Sequence, residues 1–342
     1  VLWATLQSNM SFVTTSLSAG RVQSAAVKIV VDRDRLRMKF KSSRYFNLKS
    51  EFSKDINSEI FQAFLVAVSE QKVVNSNDFN SETGDLVNNR SLLLTESQAD
   101  ELIKELKSGD WTVSNIKERP RTSNPKPPFT TSTLQQEASR KLRSSARQTM
   151  RNAQRLYENG FITYMRTDST HLSDEAIKGS REIIKVLYGN EYLPKKGIQY
   201  SSNVKNAQEA HEAIRPAHRT FKSVEEVKNK LGEDVSKLYE LIWKRTVACQ
   251  MNSAKLKQTT LTIINQKTEF RANGQVIIFP GYMRVYVEGR DDPDKDLANK
   301  ERILPTLKVG EKVNCMSLVA NAHQTKPPAR FTEASLVKTL EK

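Results

Sequence analysis

The residues with the clearest chemical potential lie in Gly160-Phe161-Ile162-Thr163-Tyr164-Met165-Arg166-Thr167-Asp168-Ser169-Thr170. Tyr164 stands two residues before Arg166, and a Thr-Asp-Ser cluster follows at once. A phenol with a reference pKa of about 10 is almost wholly protonated at neutral pH, so it attacks poorly unless its surroundings favour the phenolate. A guanidinium two residues away favours that anion, and it can also grip a phosphate through two parallel hydrogen bonds. Tyr and Arg at this spacing therefore suit attack on a phosphodiester, with the phosphoryl group passing to the phenol oxygen. Spacing alone leaves a plainer reading open: a Tyr packed in an ordinary strand, with Arg166 paired to Asp168.

The elements that would position this stretch come from a chain of 342 residues with a formal charge of +15 and a pI near 9.6. That length suits two or more domains, each able to bury a core. A positive excess of this size predicts a polyanionic partner, because Lys and Arg that neutralise phosphates release condensed counterions. No apolar run is long enough to span a bilayer and no signal peptide opens the chain, so a cytoplasmic location is expected. Cys249 and Cys315 are far apart and show no C-x-x-C spacing, which argues against a disulfide framework or a structural zinc. There is no Walker A sequence. The chain starts at Val1 without Met and stops at Lys342 inside a helical pattern, as a piece cut at both ends would.

Residues 1–44 read as helical, with Val22, Ala25, Ala26, Ile29 and Val30 at helical spacing. From Tyr45 the period becomes two: Phe46, Leu48 and Phe52 alternate, as do Phe61, Ala63, Leu65 and Ala67. Residues 71–90, rich in Asn, Asp and Ser, read as a mobile connection. A helix over Glu96–Lys107 closed by Gly109 and a strand over Trp111–Lys117 follow. Arg119–Pro128, with four prolines, reads as a linker into a helical block that lasts to about residue 254. Within it, Ser145 and Gln148 form a capping box for a helix ending near Gly160. Arg147, Arg151 and Arg155 line one face of that helix, which is ordinarily a solvated face and with this net charge also suits DNA. Strands return over Thr259–Ile264 and Gln275–Val287, with Asn273-Gly274 as the expected hairpin turn. Strands before and after a helical block are the pattern of one domain inserted in another.

The string Ile162-Thr163-Tyr164-Met165-Arg166-Thr167-Asp168-Ser169 resembles the active-site signature of type IA DNA topoisomerases. Four further blocks resemble the same family in the same order: Leu17 to Ser24, Pro127 to Ser139, Ala210-His211-Glu212-Ala213-Ile214-Arg215-Pro216, and Pro327 to Lys338. Together they span nearly the whole chain. The resemblance implies an α+β multidomain fold, the core of a toroid, in which a β-rich arch carries an inserted helical domain with the catalytic tyrosine. On this basis 1–44 is part of a helical DNA-binding domain and 45–122 the first part of the arch. The tyrosine domain is then 123–254, the second part of the arch 255–322, and the start of the return segment of the DNA-binding domain 323–342.

The family's activity is ATP-independent relaxation of negatively supercoiled DNA. One strand is cut through a 5′-phosphotyrosine link, another strand passes, and the cut is religated. By resemblance Tyr164 is the nucleophile, Arg166 steadies the phenolate and the phosphoryl oxygens, and His211 orients the scissile phosphate or exchanges a proton there. Ser18, Ala19, Gly20, Arg21, Val22 and Gln23 would hold the single strand upstream of the cut, at an expected helix start. Asp168, Arg215, Arg330 and Thr332 would approach the same strand, although Arg215 could equally pair with Glu212. No metal ligand is expected in this chain. The resemblance places Mg2+ on a Toprim domain outside it, which would also supply a Glu and a Lys near the tyrosine. The expected partners are single-stranded and negatively supercoiled DNA, met in the bacterial nucleoid by a monomer without a membrane. Two alternatives stay open: the topoisomerase III branch, which usually has Pro where Met165 stands, and a truncated non-catalytic single-strand DNA-binding module.

Overall fold

A computed structural model describes residues 23–55, 59–88, 90–107, 109–200, 211–286 and 301–340. Helix α1 (Gln23–Lys39) leads into strands β1 (Arg44–Ser53), β2 (Phe61–Val68) and the short β3 (Gln71–Lys72). Helix α2 (Glu96–Leu106) and the long strand β4 (Trp111–Ser123) follow. Five helices come next: α3 (Thr131–Lys141), α4 (Ala146–Glu158), α5 (Asp174–Leu187), α6 (Val224–Leu231) and α7 (Glu233–Ala248). The chain then returns to β5 (Ala254–Asn265), β6 (Thr268–Phe279) and β7 (Lys312–Gln324), and ends on α8 (Glu333–Leu340).

The strands pair antiparallel in the order β1-β7-β4-β5-β6-β2-β3, and β1 also pairs with β2 from Lys49↔Phe64 to Phe52↔Phe61. That last pairing closes six strands into a ring and removes the edges an open sheet would expose. The period-two pattern is the cause: alternate residues of β1 and β2 turn inward, and Phe52, Phe61, Trp111 and Phe270 meet inside. Trp111 lies edge-on to Phe52 and Phe270, with ring centroids 4.9 and 5.1 Å apart. Edge-to-face contacts of this kind add to the area each ring buries.

The helical block leaves the ring after Ser123 and returns at Ala254, two residues that face each other as the last pair of the β4–β5 ladder. Its core gathers Phe129, Leu134, Leu156, Met165, Ile214, Tyr239 and Ile242. Arg245, 5% exposed, donates Nε–H to the Pro127 carbonyl (2.7 Å) and lies over the rings of Phe129 and Tyr286, fixing the entry of the block to its last helix.

Several local expectations are corrected. The linker is shorter than Arg119–Pro128, because β4 continues through Pro120, which sits opposite Lys257. Pro is tolerated there because β4 pairs with β7 only at Trp111 and Thr112, so the side of the strand at Pro120 needs no ladder donor. The hairpin turn lies at Gln266, in the left-handed region at φ 50°, and not at Asn273-Gly274, where β6 runs straight through. Gly274 serves another purpose. A Cβ there would stand 2.7 Å from Leu304 Cγ and 2.8 Å from the Arg302 carbonyl oxygen, in a segment bonded to Gln275. Residues 71–88 are folded into turns, with Asn75 and Asp78 capping each other and Lys72 paired to Asp78. Ser145 does cap α4, accepting from the Gln148 N–H (3.2 Å), but the reciprocal bond is absent because the Gln148 amide donates to Asn152. Gly160, at φ 74°, follows the C-cap Asn159, as the sequence suggests.

Candidate active site

Tyr164 lies in an irregular extended segment that belongs to no strand. Its side chains alternate: Met165, Thr167 and Ser169 are buried, whereas Tyr164, Arg166 and Asp168 are exposed. The alternation sets the phenol, the guanidinium and the carboxylate on one face. Met165, 1% exposed, anchors the segment in the helical core.

Two threonines fix the backbone on either side of the tyrosine. On one side, the Thr163 hydroxyl donates to the Ala213 carbonyl (2.7 Å) and accepts from the Arg215 N–H (3.0 Å), while the Thr163 N–H donates to the Arg215 carbonyl (2.9 Å). On the other, the Thr131 hydroxyl donates to the Met165 carbonyl (2.7 Å) and accepts from the Thr167 N–H (2.9 Å). The Thr131 N–H donates to the Thr167 carbonyl (2.9 Å). Thr131 is the first residue of α3, just after the cap Thr130, so the helix start itself holds the segment. Each such bond contributes about 0.5–1.5 kcal/mol. Neither threonine had been assigned a role, and the signal available was only their place inside the resembled blocks.

Arg166 and Asp168 form no ion pair with each other, and neither has a hydrogen-bond or ion-pair partner among the described residues. The plainer reading of Arg166 therefore does not describe this arrangement. Both charges face solvent beside the phenol. Tyr157, near the end of α4, meets Tyr164 edge-to-face with centroids 5.2 Å apart, and both rings are about two-fifths exposed (42% and 41%). Tyr157 was missed; it follows Ala153 by four residues and so borders the buried face of the helix, which reads from sequence as an ordinary packing position.

His211 is exposed, two residues before Ala213, on the segment to which Thr163 is pinned. Arg215 is placed differently. Its side chain is 7% exposed, and Nε and Nη2 bond Glu212 Oε2 at 3.0 and 2.6 Å. Nη1 donates to the Pro216 carbonyl (2.9 Å) and Nη2 also to Ser173 Oγ (3.2 Å). Of the two roles open to Arg215, the structure shows the ion pair with Glu212.

Arg330 and Thr332 are on the return segment. Arg330 is 3.5 Å from Asp34 of α1, and Thr332 caps α8, accepting from the Ser335 N–H (3.2 Å). Arg33 of α1 stacks on Phe331 at 4.2 Å and bonds the Ala329 carbonyl, which docks the two pieces. α8 packs against α3, so the return segment is joined to the helix whose first turn holds Met165 and Thr167. Gln23 opens α1; Ser18, Ala19, Gly20, Arg21 and Val22 lie outside the described residues. Among the described residues no three His, Cys, Asp or Glu side chains gather as a metal site, and no helix is long and apolar enough to cross a membrane.

A closed β ring carrying an inserted helical block, with a pinned, exposed Tyr-x-Arg segment on that block, agrees with the comparisons to known proteins. The family model described as DNA topoisomerase matches residues 2–342. The chain belongs to that family. It is 52% identical over 328 residues to DNA topoisomerase 1 of Synechocystis sp., covering 95% of this chain and 36% of that protein. It is 45% identical over 346 residues to DNA topoisomerase 1 of Mycobacterium tuberculosis (strain H37Rv), covering 96% of this chain and 37% of the relative. Full-length topoisomerase I from Thermotoga maritima superposes with a TM-score of 0.71 at 33% identity, over 96% of this chain and 48% of the other. The chain thus spans about a third of the length of these curated relatives.

Proposed function

We propose that this chain carries the strand-cutting tyrosine of a type IA topoisomerase, which relaxes negatively supercoiled DNA through a transient 5′-phosphotyrosine link. The observation that carries the reading is Tyr164 held rigid by two threonine clamps yet exposed, beside the unpartnered Arg166. The Tyr164 oxygen attacks the phosphorus as its proton passes to His211 or solvent, the bond from phosphorus to the 3′ oxygen breaks, and that oxygen takes up a proton from solvent. The P–O bond broken is replaced by one of similar energy, so religation is the reverse step and needs no ATP. Arg166 supplies two donors where charge develops on the phosphoryl oxygens. His211, near the same segment, orients the phosphate or moves a proton. Asp168 bounds the strand on the other side of Arg166.

In this reading 45–122 and 255–322 form the arch, 123–254 the unit that carries the covalently held end, and 1–44 with 323–342 the part that grips the intact strand. Arg21, Gln23, Arg330 and Thr332 act there. Mg2+ has no three-ligand cluster among the described residues, and no step here passes through it; the resemblance puts it on a Toprim domain. The protein works as a monomer on single-stranded regions of supercoiled DNA in the nucleoid.

The test replaces the matching segment of the Synechocystis relative with this chain. The chimera should relax plasmid and leave a denaturant-stable adduct on a labelled single strand, and Tyr164→Phe should abolish the adduct while binding persists. Undiminished adduct in the Phe variant would remove Tyr164 from its role. The 342-residue chain alone should bind single strands but leave plasmid supercoiled.

A further inference from the structure

Helix α4 presents an outward face that the steps above do not use. At 100° per residue its buried side chains Thr149, Asn152, Ala153 and Leu156 fill one arc, Arg147, Arg151 and Arg155 fall on the opposite half, and Tyr157 stands at the border between the two. Arg147 and Arg151 are exposed and have no hydrogen-bond or ion-pair partner among the described residues. Arg155 is tied to the Leu231 carbonyl at 3.1 Å. The one acid on this half of the helix is Glu158, held by the Gln154 amide at 2.6 Å. At the end of the face, Tyr157 is 42% exposed and touches Tyr164 edge-to-face.

Free cations followed by an exposed aromatic ring are the two components of a single-strand binding track: charge follows the backbone, and a ring stacks on a base of any identity. The charge matches a polyanion, and the position matches the nucleophile. Arg147 lies ten residues from Tyr157, about 15 Å along the axis, or about four steps of a stacked strand. Tyr157 is the ring in contact with Tyr164, the residue that would carry the strand's phosphate.

We propose that the outward face of α4 is a second contact for single-stranded DNA, in which Arg147 and Arg151 take backbone phosphates and Tyr157 stacks on a base beside the phosphate presented to Tyr164. The proposal rests on the reading that this chain binds single-stranded DNA. It adds to that reading a hold on the covalently attached segment, separate from the strand grip assigned to Arg21, Gln23 and Arg330.

The experiment measures binding of the 342-residue chain to fluorescein-labelled single-stranded oligonucleotides in which one 5-iodouracil is moved along the sequence. The double variant Arg147→Gln/Arg151→Gln should lower the slope of log K against log salt by about 1.4, two phosphates at about 0.7 each. The matched Lys variants should keep the slope. Irradiation should crosslink the iodouracil to Tyr157. Tyr157→Phe should retain the crosslink and the affinity, whereas Tyr157→Leu should lose the crosslink and bind roughly tenfold more weakly. Unchanged thermal melting of each variant shows that the helix is intact. An unchanged slope in the Gln variant, or crosslinks that map only elsewhere, overturns the α4 contact while salt-dependent binding of the wild type leaves the proposed function standing. Absence of any salt-dependent binding by the wild type overturns both.

Discussion

Glu212→Ala should loosen the active segment without touching DNA. The substitution removes the carboxylate that takes two charged bonds from Arg215 and the acceptor of the Ser173 N–H (3.1 Å). The guanidinium that remains is 7% exposed and keeps only the Pro216 carbonyl and the Ser173 hydroxyl. Breaking a fully buried pair from one side costs about 3–5 kcal/mol. The Glu212 side chain is 28% exposed, so water reaches the gap and the cost falls to about 2–3 kcal/mol. In a unit of this size that lowers Tm by roughly 5–10 °C. Glu212→Gln keeps an acceptor for Ser173 and should recover about half. Thermal unfolding followed by circular dichroism reads the shift. Amide exchange at Thr163 and Arg215, whose bonds share the braced segment, should quicken with it. A Tm within 1 °C of wild type would refute the brace. The same experiment decides how Arg215 acts toward DNA. Arg215→Lys should lower Tm and leave the salt slope of oligonucleotide binding unchanged, whereas a slope smaller by about 0.7 would mark a direct phosphate contact.

Three further outcomes are expected. Arg166→Lys in the chimera keeps a charge but loses the planar two-pronged contact, so adduct formation should fall by about tenfold or more while affinity changes little; equal losses would mark a general DNA anchor. Burial pushes the Cys249 thiol up to about 12, so at pH 8 only about one in ten thousand is thiolate, and iodoacetamide should label the half-buried Cys315 first. Because the folded-state pKa is raised, the contribution of Cys249 is intact below about pH 8.5 and declines as pH climbs from there towards 12; equal labelling of both thiols in the folded chain would contradict this. Gly274→Ala should cost about 1–3 kcal/mol, since the added Cβ meets Leu304 and Arg302, and an unchanged Tm would show that the 301–304 segment gives way freely.

What the sequence disclosed and what it hid divide along one physical line. Features set by neighbours in the chain were legible: the cap at Ser145, the stop at Gly160, and the alternation in β1 and β2. The Tyr-x-Arg spacing was legible too, because an extended backbone puts both side chains on one face whatever surrounds it. Features set by distant partners were not. Closure of the ring depends on Phe52 meeting Phe61 across a connection, and the Asn-Gly turn was misplaced because Leu304, thirty residues on, decides what Gly274 is for. Pro120 looked like a linker for the same reason: only the missing partner on one side of β4 makes it acceptable in a strand.

The proposed role puts two demands on the site that pull against each other. A nucleophile for a phosphodiester in a long polymer has to stand proud of the surface, since no enclosed pocket admits a continuous strand. Exposed segments without regular structure are ordinarily the most mobile parts of a fold, and mobility spreads the attacking oxygen over many wrong geometries. The chain meets both by alternating its side chains: every second residue from Met165 to Ser169 is buried, and the backbone is tied on either side of Tyr164 by Thr131 and Thr163. The Met165 carbonyl and both backbone groups of Thr167 are thereby satisfied without a strand partner, which leaves the outer face free. Arg215 follows the same logic. Drawn inward by Glu212, it stiffens the segment that receives Thr163 and leaves Arg166 as the guanidinium beside the phenol. The sequence shows two arginines in family-like blocks, and only their burial separates the one that braces from the one free to meet a phosphate.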